Sequence, residues 1–116
     1  MHARVTTFPG LAPERIKATL EEFTEQHLPK LEREPGYRGV WVGVDYTGGR
    51  AIAVTYWDSL EALHASDAVA NEVRAAAVSR AGVDRNRPPV IDRYEIMPLQ
   101  GRSVRPPATG RGSGGR

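Results

Sequence analysis

The chain has 116 residues, no Cys, two Trp and 16 basic against 14 acidic side chains, for a formal charge of +2. That length allows one domain with a core that needs no staples. The missing cysteines exclude disulfides, thiolate metal sites, iron–sulfur clusters and thiol nucleophiles together, and no apolar run approaches the ~20 residues of a membrane span.

From the N-terminus, residues 1–8 (MHARVTTF) alternate and are rich in Val and Thr, which predicts a strand ended by Pro9-Gly10. Pro13 suits a first helical turn, with Glu14 favourable at the positive end of the helix. Ile16, Leu20, Phe23, His27 and Leu31 then recur on one helical face. Pro29 interrupts that pattern: it cannot donate to the carbonyl of Glu25, so the regular helix must kink or end there. Pro35-Gly36 closes the segment. Tyr37–Asp45 and Arg50–Trp57 read as two strands of a hairpin turning at Gly48-Gly49. Asp58 or Ser59 caps a second helix, which breaks at Ser66-Asp67 and continues through Val69, Val73 and Ala76 or Ala77 until Gly82 stops it. Pro88-Pro89 forces extended chain into a last strand, Val90–Met97.

The order is β-α-β-β-α-β, an α+β domain over residues 1–100. Residues 101–116, GRSVRPPATGRGSGGR, hold four arginines and no acid, so the first hundred residues carry 12 bases against 14 acids. The isoelectric point near 9.3 therefore reflects the tail. That tail is expected to be disordered and solvated. Nucleic-acid binding is disfavoured because no aromatic stacking groups accompany its arginines. Without the basic-then-apolar pattern of a signal peptide, the expected location is the cytoplasm.

In the hairpin, Val40, Val42 and Val44 are expected to share a face with Ile52, Val54 and Tyr56. Gly39, Trp41 and Gly43 then share the other with Ala51, Ala53, Thr55 and Trp57. Neither face is polar, yet two helices cover only one side of a four-stranded sheet. A second copy is expected to cover the valine-lined side, giving a homodimer through its sheet faces. On the small-residue side, an Ala-rich second helix leaves two alternatives: tight packing, or a pocket walled by Trp and roofed by the first helix.

The stretch PGYRGVWVGVDYTGGRAIAVTYWDSLEAL, following a helix with an internal Pro, resembles the antibiotic biosynthesis monooxygenase family of the dimeric α+β barrel superfamily. The carrying features are Pro35-Gly36-Tyr37 with Gly39, and Trp57-Asp58-Ser59 leading to Glu61-Ala62. The resemblance implies a ferredoxin-like βαββαβ protomer with a four-stranded antiparallel sheet, paired into a dimeric barrel. The family includes cofactor-independent oxygenases of polyketide anthrones and haem-degrading monooxygenases. Trp57 matches the Trp that the anthrone oxygenases place in their pocket, whereas their Asn and Tyr fall here on Ala53 and Leu63. The Asn that haem-degrading members need on the first strand is replaced by Thr6 and Thr7. Their second-helix Trp and His fall near Ala65 and Arg74, so haem degradation is disfavoured.

The expected activity is a cofactor-independent oxygenation of an aromatic or polyketide-like molecule, with no metal. The alternative is a non-catalytic dimer that binds a small apolar ligand. The candidate catalytic residues are His27 as the base and Trp57 as a donor and stacking face. A core histidine bonded to backbone is the competing account of His27. The candidate ligand-binding residues are Tyr37, Trp41, Thr55, Phe23 and His64. Asp92 and Glu95 are expected to meet Arg4 and Arg93 across the first and fourth strands.

Overall fold

A computed structural model describes residues 1–81 and 87–97; Gly82 and the tail at 101–116 lie outside them. Alternation in the first residues makes β1 (His2–Phe8). Pro13 opens α1 (Pro13–Glu22), as its fixed φ and missing donor favour. The chain then winds through a π-helical turn, Phe23–His27, into α2 (Leu28–Glu32). The proline at 29 explains the turn: with no N–H for the carbonyl four residues back, the ladder shifts, and Leu28 donates instead to the Phe23 carbonyl.

Strands β2 (Tyr37–Asp45) and β3 (Arg50–Trp57) form the hairpin, followed by α3 (Leu60–Ala65), α4 (Asp67–Ala81) and β4 (Val90–Glu95). Ser59 is the residue that caps α3, its side chain accepting from the Ala62 N–H at 3.1 Å. The break at Ser66 separates α3 from α4 as the sequence implied. The antiparallel sheet runs β2-β3-β1-β4, which is the ferredoxin-like order, with the helices on one side. Gly49 (φ +64°) carries the turn; its carbonyl accepts from the Leu11 N–H at 2.6 Å, and a Cβ there would lie 2.7 Å from the Leu11 oxygen.

The hairpin register overturns the expected faces. A four-residue loop, 46–49, pairs Val44 with Ala51, Val42 with Ala53 and Val40 with Thr55. Even-numbered residues of β2 therefore share a side with odd-numbered residues of β3, and a slip of one residue reverses every side chain. The valines turn inward, towards the helices, with Ala51, Ala53, Thr55 and Trp57. The open face instead carries Trp41, Ile52, Val54 and Tyr56, joined by Val90 and Tyr94 from β4. An irregularity between Tyr37 and Gly39 then shifts the register, so Tyr37 pairs with Trp57 and joins the helix side.

Two groups of buried residues hold the helices to the sheet. One is Leu11, Ile16, Ala51 and Ala81, flanked by Phe8, Leu20 and Val44. The other is Leu31, Trp57, Leu63 and Val73, flanked by Phe23 and Tyr37. Trp57 and Leu63 are wholly buried, and Tyr37 meets the indole edge-on, ring centres 5.6 Å apart.

Candidate functional site

Between those two groups the helix side of the sheet is not filled. Ala51, Ala53 and Thr55 on β3 and Ala70, Ala77 and Ala81 on α4 are short side chains facing one another, and they leave a cavity of about 100 Å³. Phe8, Ile16, Leu20, Phe23 and Val73 complete its apolar wall, and the polar side chains on the lining are Arg4, Thr6, Thr19, Thr55 and Arg74. No Asp, Glu or His is among the lining residues described.

Arg4 was expected to pair with Asp92 or Glu95 on the fourth strand. It points instead at the junction of α3 and α4. Its Nη2 donates to the Leu63 carbonyl at 2.8 Å, Ser66 Oγ at 2.9 Å and Asp67 Oδ1 at 2.6 Å. The guanidinium carbon lies 5.7 Å from the centre of the Trp57 ring. The side chain is 3% exposed, and its Nε and Nη1 have no hydrogen-bond partner among the described residues. Burial lowers its pKa, against the opposing hydrogen bond and charge of Asp67. Arg93, the cross-strand neighbour of Arg4 on β4, approaches Asp67 Oδ1 at 3.5 Å. For Asp67, burial raises the pKa but the Arg4 hydrogen bond and charge, with Arg93, outweigh it and hold the carboxyl below its ordinary value. The pKa of Arg74 is held low by burial and by repulsion from Arg4 and Arg93; its Nη1 donates to Asn71 Oδ1 at 2.6 Å and its Nε has no partner among the described residues.

The residues singled out from the sequence are distributed unevenly around this cavity. Phe23 and Thr55 line it. Trp57 lies off the lining and donates its indole N–H to Thr55 Oγ1 at 3.0 Å. Tyr37 backs Trp57; burial, then the Glu32 carboxylate, pushes its phenol up to about 12, and its hydroxyl has no partner among the described residues. Trp41 stands on the open face, across the sheet from the cavity, and is 53% exposed. His64 is exposed, 3.7 Å from Asp67 Oδ2. His27 is half-buried at the end of the π-helical turn, off the lining, with Nε2 3.5 Å from Glu22 Oε2 and neither nitrogen hydrogen-bonded among the described residues. Arg4 and Arg74 are the charged lining groups that the sequence reading did not place at a site. The available signal was Arg4 itself, a charge at an inward position of a β1 strand whose neighbours are apolar or Thr.

No family model matches this chain, and no curated protein does. Solved structures do. A monooxygenase from the gene ActVA-Orf6 of Streptomyces coelicolor, in complex with the ligand nanaomycin D, is 22% identical, with a TM-score of 0.65 over 84% of this chain and 91% of that one. SnoaB, a cofactor-independent oxygenase from Streptomyces nogalater, is 12% identical, with a TM-score of 0.61 over 87% and 97%. Rv0793 from Mycobacterium tuberculosis is 18% identical, with a TM-score of 0.59 over 86% and 98%. The chain has the antibiotic biosynthesis monooxygenase fold. Among the described residues no helix is long and apolar enough to cross a membrane.

Proposed function

We propose that the chain is a cofactor-independent monooxygenase of an aromatic or polyketide-like small molecule, working as a homodimer joined through its open sheet faces. The observation that supports this most is the cavity: an apolar space under α1 and α4 whose polar groups are arginines and threonines, in a fold shared with oxygenases. An aromatic methylene acidic enough to ionise gives an enolate that reduces dioxygen. One oxygen remains as the new carbonyl and the other leaves as water with the two hydrogens, so CH2 and O2 give C=O and H2O without an external reductant.

In this reading the apolar wall keeps water from the anion, and Thr55, Arg4 and Arg74 donate to the developing oxyanion. Phe23 packs against the ring. Trp57 is a positioning residue, orienting Thr55 through its N–H and Arg4 through its ring face. His27, one turn beyond Phe23, takes the proton through a bridging water. Exposed Trp41, Ile52, Val90 and Tyr94 on the open face support the dimer, because an apolar surface of that kind gains by meeting its own copy. Trp41 then belongs to the interface.

A second reading, a binding protein without turnover, is favoured by the absence of an ionisable base among the described lining residues. Oxygen uptake with anthrones and aromatic hydroquinones, without added flavin or metal, separates the two. The oxygenase reading expects uptake that falls at least tenfold in Thr55→Val and Trp57→Phe. Thermal stabilisation by the same compounds without uptake would replace it with the binding reading.

A further inference from the structure

The arrangement of charge at the cavity does not match an apolar guest. Arg4 is a cation withdrawn from water, yet among the described residues only its Nη2 is bonded, and two of its donor nitrogens, Nε and Nη1, have no acceptor. A buried donor without an acceptor is destabilising, and more so when charged. Asp67 is the one carboxylate that Arg4 meets among the described residues, and Arg93 and His64 also lie against it. Arg74, on the same lining, meets Asn71 rather than an acid. The end of the cavity formed by Arg4 and Arg74 therefore carries more positive than negative charge, while the opposite end, around Phe8, Leu11 and Ile16, is apolar.

We infer that the cavity is built for a monoanion: a flat apolar ring system bearing one ionised oxygen group, a carboxylate or enolate, whose charge lies at Arg4 and Arg74 with the ring toward Ile16 and Phe8. This rests on the cavity being the ligand site, as proposed above, and adds to it the charge of the ligand and the residues that select it. Arg4 is the specificity-determining group. It is pinned by Leu63, Ser66 and Asp67, so the cation is already placed before the ligand arrives and little order is lost on binding. Burial among Trp57 and Leu63 strengthens its attraction for an anion relative to the same pair in water. A neutral ligand of the same shape leaves the excess charge unanswered.

Calorimetric titration with 2-naphthoate and with its uncharged isostere 2-naphthamide tests the assignment. The wild-type protein should bind the naphthoate at least tenfold more tightly. Asp67→Asn keeps an acceptor for Arg4 and a good residue at the start of α4, but removes the competing charge. It should raise naphthoate affinity severalfold and leave naphthamide unchanged. Arg4→Met should erase the preference; if it fails to fold, Asp67→Asn still decides. Equal affinity for the two probes, binding of neither, or no response of the ratio to Asp67→Asn would overturn the inference. Oxygen uptake is read separately: selective naphthoate binding by a protein that never consumes oxygen leaves the anion site standing and removes the oxygenase.

Discussion

The two faces of the sheet solve opposite problems with the same kinds of residue. The helix face is covered but underfilled: Ala51, Ala53 and Thr55 lie beneath an Ala-rich helix, and the space they leave is a cavity. The open face is well supplied with large side chains and is uncovered, with Trp41 and Tyr94 each 53% exposed. One tryptophan stands on each. Trp57 is wholly buried and has its N–H bonded, whereas Trp41 faces outward. One large residue seals the core and the other stands in solvent, while the small ones leave unfilled space.

The largest effect in this contrast is expected at Trp57. Trp57→Ala removes the centre of one buried group, the ring under Arg4 and the partner of Tyr37, and should cost about 3–5 kcal/mol in chemical denaturation. Trp41→Ala on the other face should leave protomer stability within about 1 kcal/mol but shift the dimer to monomer in sedimentation at micromolar protein. A Trp41→Ala protein that sediments as wild type would remove this residue from the interface. Next in size, Ala53→Leu fills the cavity. It should preserve the fold, with a change in stability of at most about 1–3 kcal/mol from repacking, and reduce probe binding at least tenfold.

The smallest effect is expected at Tyr37, and it depends on pH. The folded-state pKa of the phenol is raised, to about 12 from 10.0, so the neutral form is the one the fold favours. Its contribution is complete below pH 10 and is lost as the pH rises through 12. Tyr37→Phe should therefore unfold at higher pH than the wild type in an alkaline titration. At pH 7 it should be as stable or slightly more so, since the hydroxyl it removes has no partner among the described residues. An alkaline midpoint that does not move would place the titrating group elsewhere.

The order of the strands and α-helical segments was legible, because Pro13, Pro29, Ser59 and the glycines at 36 and 49 act through local backbone chemistry that the sequence displays. The π-helical turn was visible only as an interruption at Pro29, since the position of a lost donor fixes where a ladder breaks but not how it closes. The faces of the hairpin were misassigned because alternation within a strand does not say which parity of the next strand it meets; the length of the turn does. Phe23 and Thr55 lie on the cavity lining. Arg4 was not placed at a site because its partners, Leu63, Ser66 and Asp67, lie about sixty residues away and come together only through the break between α3 and α4.

The central claim is that the covered face, not the open one, receives the ligand. The structure of a crystal grown with 2-naphthoate tests it directly. The account predicts the ring between β3 and α4 with its carboxylate on Arg4. Density for the ring on the open face beside Trp41, with the cavity unchanged, would contradict it.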